Sequence, residues 1–325
     1  MTNNNLTSID FTNNPLMRYV FVEDNPLTGY LDLSDLEFLE QVYVNNCDFT
    51  AINLKNGNYS LLEFVETVGN DNLTCIQVDD ATDAATKVGS DFLIDDHTSF
   101  NEDCGYNFSV SSEVILEGAF ELSSGNIIMH DNLRDNTTVL IPTTSPYNSD
   151  ESCEATVFDT TGENAVVDWV ELQLRNATDA TQIETTRSAL LLRNGTIVDT
   201  DGTSPVVFSQ VQGDFYLAIA HRNHLTVMSS STHTFSSTAT TSIDFTNTVN
   251  VSGGSSALIS LGDGYNGIPL GDIDENGQIQ NADITSTVLQ IGISGYSIYD
   301  VDMNGQVQNA DINFILQNIG KGEQF

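Results

Sequence analysis

Two stretches near the end of the chain share one spacing: GDIDENGQIQNADI and, twenty-eight residues on, YDVDMNGQVQNADI. The first copy places Asp272, Asp274 and Asn276 at loop positions 1, 3 and 5, Gly277 at 6, the backbone carbonyl of Gln278 at 7 and Asp283 at 12. The second repeats this with Asp300, Asp302, Asn304, Gly305, Gln306 and Asp311. Carboxylates crowded this closely repel one another unless a cation sits among them. Calcium takes six to eight oxygens, and a tight loop with oxygen ligands on alternate residues, turned at a glycine, supplies them. A lone D-x-D-x-N-G string is also an ordinary Asx-rich turn. Two copies in register, each followed by a matching apolar run, point instead to two calcium ions. The runs set Ile284, Val288 and Ile291-Gly292 against Ile312, Leu316 and Ile319-Gly320. Ile279 and Val307, at position 8, are expected to pair the loops through a short β-bridge. Ile284, Val288, Ile312 and Leu316 are expected to form a small shared core.

This doubled loop–helix unit resembles the dockerin module over residues 264–325, including the habit of Asp at position 12. The resemblance implies a paired EF-hand calcium module that could dock its chain onto a cohesin-like partner, and with it a larger secreted, polysaccharide-degrading protein. Dockerins carry partner recognition at loop positions 10 and 11. Here both copies read Asn-Ala, Asn281-Ala282 and Asn309-Ala310, and alanine offers little to grip.

The balance of charge narrows the partners. Nine basic residues face 46 acidic ones, for a formal charge of −37. Phosphate backbones demand the opposite sign, so nucleic acid is excluded as a partner. No apolar run approaches the eighteen residues of a membrane span. Charged residues are only 17% of the chain, and Ser, Thr, Asn and Gly are abundant, as in extracellular β-proteins. The opening MTNNNLTS has neither the basic nor the apolar region of a signal peptide. Because calcium modules of this kind belong outside the cell, the expectation is a piece of a longer secreted protein, with Met1 foreign to it.

Residues 3–78 hold a repeat of about 22 residues. Met17, Val20, Val22 and Asn25 form an L-x-x-L-x-L-x-x-N pattern with substitutions; Leu39, Val42, Val44 and Cys47 repeat it, and Leu62, Val65, Thr67 and Asn70 form a looser copy. Apolar runs lie between: Leu6-x-x-Ile9-x-Phe11, Leu27 to Leu33, and Phe49-x-x-Ile52-x-Leu54. The pattern resembles leucine-rich repeats, in which the Asn side chain bonds backbone inside the turn; Cys47 would replace it as a small buried donor. Asn4-Asn5 reads as the end of an earlier repeat. NLKNGN, NLTCIQVDD and SFNEDC together resemble the cap of leucine-rich-repeat surface proteins that Bacteroidetes secrete by the type IX route. That cap implies a disulfide between Cys75 and Cys104, which bracket it. Cys153 lies in NSDESCEAT without an evident partner.

From about residue 105 the apolar period changes to two. EVILEGAF, with Val114, Leu116 and Gly118, begins a strand; DWVELQLR alternates through Val170, Leu172 and Leu174. SALLLRNGTIVDT reads as a hairpin with a type I′ turn at Asn194-Gly195. GDFYLAIAHRNHLTVMS alternates again, TSIDFTNTV is a final edge strand, and SGGSS with GDGYNG forms a linker. The expected fold class is mainly β and multidomain. A solenoid end and cap occupy 1–104, an immunoglobulin-like or prealbumin-like sandwich 105–263, and a small α calcium module 264–325. The sandwich resembles the haemagglutinin-like β-domain of the same surface proteins.

No catalytic set is expected. His221, Arg222 and His224 tempt a metal or catalytic reading, but His221 shares a face with Phe215, Leu217 and Ile219, which predicts a buried, hydrogen-bonded histidine. There is no H-x-x-x-H, C-x-x-C, G-x-S-x-G or phosphate loop. Asp79-Asp80 and Asp95-Asp96 read as solvated loops. Two functions follow: a calcium-stabilised cell-surface adhesin binding a glycan or protein through solenoid and sandwich, able to assemble into oligomers or appendages, and a docking module. The adhesin is the favoured expectation.

Overall fold

One apolar residue per turn, repeated at nearly constant spacing, stacks like on like. In the first part of the chain this forms two parallel ladders. Strands β1 (Tyr19–Phe21), β3 (Gln41–Tyr43), β5 (Phe64–Glu66) and β7 (Phe92–Leu93) make one; β2 (Thr28–Asp32), β4 (Asp48–Asn53), β6 (Cys75–Gln77) and β8 (Ser99–Asn101) make the other. Val20, Val42, Val65 and Phe92 align across the first and Leu31, Ile52, Ile76 and Phe100 across the second, and all but Phe100 are buried. The runs between the L-x-L segments are thus themselves paired strands. The computed structural model describes residues 2, 4–9, 11, 14–105, 107–123, 128–148, 150–209, 214–235 and 240–325, so Met1 lies outside the described residues. The chain divides into two compact units, Met1–Asn107 and most of Phe108–Phe325.

Turn chemistry inside the first unit follows the Asn positions. The Asn70 amide donates to Val44 O (2.9 Å) and Thr67 O (2.7 Å) and accepts from Phe49 N (3.0 Å). Asn25 donates to Val22 O (2.8 Å) and accepts from Leu6 N (3.2 Å). In the copy between them the buried Cys47 thiol donates to Val22 O at 3.6 Å, and burial pushes its pKa up. Cys75 and Cys104 are disulfide-bonded, with their Cα atoms 5.9 Å apart. A short helix, α1 (Ala81–Thr86), is capped by Asp80 accepting from Asp83 N.

The second unit is built on one continuous nine-stranded sheet. Its path runs β13 (Val206–Ser209), β9 (Asn107–Glu113), β12 (Thr196–Val198), β11 (Ile183–Leu192), β10 (Val166–Asn176), β14 (Asp214–His221), β15 (His224–Met228). Strand β16 (His233–Thr234) pairs with β14, and β17 (Thr241–Asp244) pairs parallel to β9. Trp169, Leu172, Leu174, Leu190, Leu217 and Ile219 are fully buried along it.

Three local expectations change. Val114–Gly118 is not a strand: only Leu116 bridges, to Ile268, before a 3-10 turn at Glu117–Ala119. The β11–β12 connection bonds Gly195 N to Leu192 O, and only Gly195 (φ 92°) is left-handed. It is therefore a type I turn closed by a left-handed glycine rather than type I′. As expected for a histidine near a strand end, β14 stops at His221, and the chain reverses at Arg222-Asn223. Gly and Ser near residue 260 form no free linker: β18 (Ile259–Gly262) pairs with β19 (Tyr265–Gly267), and Ile268 N bonds Ile115 O at 2.9 Å. Buried Cys153 keeps a free thiol.

The last two helices, α2 (Asn281–Val288) and α3 (Asn309–Asn318), belong to this same unit. Of the expected core Ile284, Val288, Ile312 and Leu316, only the half-buried Ile284 packs against the observed cluster; Val288 and Leu316 are exposed and Ile312 is half-buried outside it. Leu225 of β15 packs with Leu270, Ile273, Ile279, Val301 and Ile315 instead. A short two-helix unit has little apolar surface to bury against itself, and the sheet supplies the missing partner.

Candidate metal loops and the turn that holds them

Each acidic stretch folds into a loop of the same shape. Position 4 is left-handed in both (Glu275 φ 54°, Met303 φ 55°), as is the glycine at 6 (Gly277 φ 77°, Gly305 φ 86°). A left-handed non-glycine residue is unfavourable by about 1–2 kcal/mol, so its recurrence in both loops marks a shared constraint. The first Asp ties the turn: Asp272 accepts from Asn276 N (3.1 Å) and Gly277 N (3.0 Å), and Asp300 from Asn304 N (3.1 Å) and Gly305 N (2.8 Å). The last Asp starts the helix. Asp283 accepts from Ile273 N and Gln280 N, both at 2.8 Å; Asp311 accepts from Val301 N (2.8 Å) and Gln308 N (2.7 Å).

These turns bring the carboxylates together. Oxygens of Asp272, Asp274 and Asp283 lie within 4.8 Å of one another, as do those of Asp300, Asp302 and Asp311. Asp272, Asp283, Asp300 and Asp311 are buried, whereas Asp274 is exposed and Asp302 half-buried. The Asn276 and Asn304 side-chain oxygens accept from Gln278 N (3.0 Å) and Gln306 N (2.9 Å). Gln278 and Gln306 themselves stand in antiparallel bridges with Gly322 and Ser294.

Burial pushes the carboxyls of Asp272 and Asp300 up to about 7, against the pull of the loop amides, and that of Asp302 upward as well. Among the described residues no basic side chain forms a salt bridge with either trio. An all-oxygen set of carboxylates, two of each three buried and none of them in a salt bridge, fits a hard divalent cation, and both clusters can hold one.

The position-8 residues do not pair with each other. Ile279 N donates to Lys321 O (2.9 Å) and Gly320 N to Ile279 O (3.0 Å), while Val307 N donates to Ile293 O and Gly292 N to Val307 O, both at 2.8 Å. Each loop is closed by the segment that follows the other loop's helix. The aligned Ile-Gly pairs at 291–292 and 319–320 mark those segments, and a bridge between loops was the wrong pairing because their backbones were already committed elsewhere.

A second group of residues lies under the loops. Asp168 is fully buried and accepts from Arg222 Nε (3.0 Å), His221 Nε2 (3.2 Å), Trp169 N (2.8 Å) and the Tyr296 hydroxyl (2.7 Å). The Arg222 guanidinium also bonds Ser297 O and lies 4.4 Å from the Tyr296 ring centre. His221 is thus the buried, hydrogen-bonded residue its place on the strand implied, with burial pushing its pKa down. Asn223, Asp168 and Tyr296 carried no signal in the sequence, since the partners that tie them to the loops and to His221 lie 53 to 128 residues away. Asp79 accepts from Gly57 N, 22 residues away, and Asp80 caps α1, so this acid pair has a structural use rather than standing free in a loop.

No family model and no curated protein matches the chain. Among solved structures it is similar to two complexes from Acetivibrio cellulolyticus. A C-terminal interface mutant of a type II cohesin–X–dockerin complex shares 14% identity, covering 66% of this chain and 97% of that one, with a TM-score of 0.33. An N-terminal interface mutant of such a complex shares 16%, covering 47% and 81%, with a TM-score of 0.27. No helix among the described residues is long and apolar enough to cross a membrane.

Proposed function

We propose that the chain is a non-catalytic extracellular binding protein whose α2–α3 unit, loaded with two calcium ions, docks onto a protein partner. Asp272, Asp274, Asn276, Gln278 and Asp283 would hold one ion and Asp300, Asp302, Asn304, Gln306 and Asp311 the other. The observation that carries the reading is a symmetry of exposure. The repeat-related pairs Val288/Leu316 and Ile291/Ile319 are 46%/50% and 47%/42% exposed, and Leu289 reaches 76%. A core-forming repeat buries its equivalent apolar positions; one that exposes them in both copies offers a surface. Because most of these side chains are already half-buried, covering the rest of each in an interface contributes about 1 kcal/mol.

Cohesin-type modules are the first probe. In surface plasmon resonance the chain is expected to bind at least one immobilised type II cohesin in calcium and to release it in chelator. The Val288→Asp/Leu316→Asp variant should lose that binding while retaining calcium. Binding that survives both substitutions, or no calcium-dependent binding across the panel, overturns docking.

A specific observation also favours the adhesin reading for the first unit, taken there as a leucine-rich-repeat end. Tyr19, Phe21, Tyr43 and Phe64 form an outward aromatic row across β1, β3 and β5, with Phe21–Tyr43 and Tyr43–Phe64 centroids both 4.9 Å apart. Tyr43 and Phe64 stack at 20° while Phe21 meets Tyr43 edge-on at 69°, and such a row of rings on a sheet face suits apolar saccharide faces. A glycan array with the Tyr43→Ala variant as control tests it: a hit retained by the variant rules this row out.

A further inference from the structure

Resting on the calcium reading above, we infer that the β14–β15 turn is the common anchor of both acidic loops, with the Asn223 side chain as the positioning group for the second. Asn223 is fully buried and touches the entrance of each loop by a different atom. Its main-chain oxygen accepts from Gly271 N at 2.7 Å, one residue before Asp272, and Leu225 N beside it donates to Pro269 O at 2.9 Å. Its side-chain nitrogen donates to Ile298 O at 3.1 Å and to Asp300 O at 2.9 Å, the latter being the carbonyl of the second loop's first ligand.

The orientation of that amide is dictated by its surroundings. Gly118 N donates to His224 Nε2 at 3.1 Å, so Nε2 carries no proton and the neutral ring keeps its hydrogen on Nδ1. His224 Nδ1 faces both His221 Nδ1 (2.9 Å) and Asn223 Oδ1 (2.8 Å), while His221 Nε2–H donates to Asp168. With Oδ1 occupied by a donor, only the Asn223 NH2 group is left to face the two carbonyls. The backbone beneath allows nothing bulkier: a Cβ on Gly118 would lie 1.9 Å from Val301 O. Arg222 and Tyr296 pin the residues just upstream through Ser297 O and Asp168. Asn223 itself contributes no oxygen to either carboxylate trio; it acts through Asp300.

The near-isosteric Asn223→Asp variant keeps the packing but sets a carboxylate oxygen against two carbonyls. Calcium titrations followed at the Gly277 and Gly305 amides by NMR report the two loops separately. The second loop should bind at least about tenfold more weakly in the variant, the first should change less, and a Val227→Ala control should lose thermal stability without losing affinity. Affinities within twofold of wild type at both loops, or an equal loss in the control, overturn the anchor. Should the variant not fold, wild-type hydrogen exchange in chelator decides: the Gly271 and Leu225 amides are expected to exchange as slowly as those of β14. Exchange as fast as in the exposed turn of α2 refutes it. Failure of the wild type to bind calcium would remove the metal reading, and the same exchange rates would then uphold or refute the anchor by themselves.

Discussion

Four hydrogen bonds beneath the loops converge on the Asp168 carboxylate. Burial alone would push its carboxyl up, but the Arg222 guanidinium, His221 and the Tyr296 hydroxyl outweigh it and hold the pKa at about 2. Because this value lies below the ordinary aspartate range near 4, the contribution is fully present above about pH 4 and is lost as pH falls through 2. Asp168→Asn leaves Arg222 charged and unpaired in the interior, a change expected to destabilise by about 3–5 kcal/mol at neutral pH. Urea unfolding of both proteins should show that gap, and the gap should close as pH falls from 5 to 2. A difference independent of pH would mean that shape rather than charge is at stake. At this scale the sequence was legible where a residue's partner is local or repeated. Asn25, Cys47 and Asn70 sit in equivalent turns and bond equivalent carbonyls, and the loop ligands lie within twelve residues of one another. Asp168 could not be read, because nothing in VVDWVELQ indicates that Arg222 and Tyr296 return to it.

Between elements the decisive feature is the exchange of closing segments. Ile279 bonds the chain after α3, and Val307 the chain after α2, so neither loop has a backbone frame of its own. Replacing Asp272 by Ala removes a charged ligand and is expected to weaken the first site by at least an order of magnitude, about 1.4 kcal/mol. Because the loop-1 backbone also holds Gly320 and Lys321 behind α3, calcium affinity at the Asp300 loop should fall as well, by a smaller factor. A two-site titration checks this; an unchanged second site would show that the exchanged bridges transmit nothing. The loops and both helices were readable from spacing, since ligand geometry is set over a short range. The core was not. Val288 and Leu316 have the periodicity of buried residues, yet Leu225 of β15 takes the place they were expected to fill. Helical periodicity marks an apolar face without saying what covers it.

For the whole molecule, the formal charge of −37 concentrates its worst local repulsion in two loops whose backbones are hydrogen-bonded to the β14–β15 turn. Chelation is therefore expected to destabilise the transition belonging to residues 108–325 as a unit, not to melt residues 264–325 alone. Scanning calorimetry with and without EDTA should show that transition lowered in midpoint without splitting; a separate low-temperature transition would show that the α2–α3 unit unfolds independently. The exchanged bridges have one more consequence, in the order of synthesis. The backbone partners of Gln278 and Ile279 are Gly320, Lys321 and Gly322, and Glu323 N bonds Gly277 O. On a ribosome the upstream loop has all its carboxylates some forty residues before the strand that closes it has been made. The downstream loop meets its partner, Gly292 and Ile293, already emerged. Loop 2 is therefore expected to complete first and loop 1 last, so that released chains truncated before Gly320 would protect the Val307 amide, which donates to Ile293 O, from exchange while leaving the Ile279 amide, which donates to Lys321 O, open.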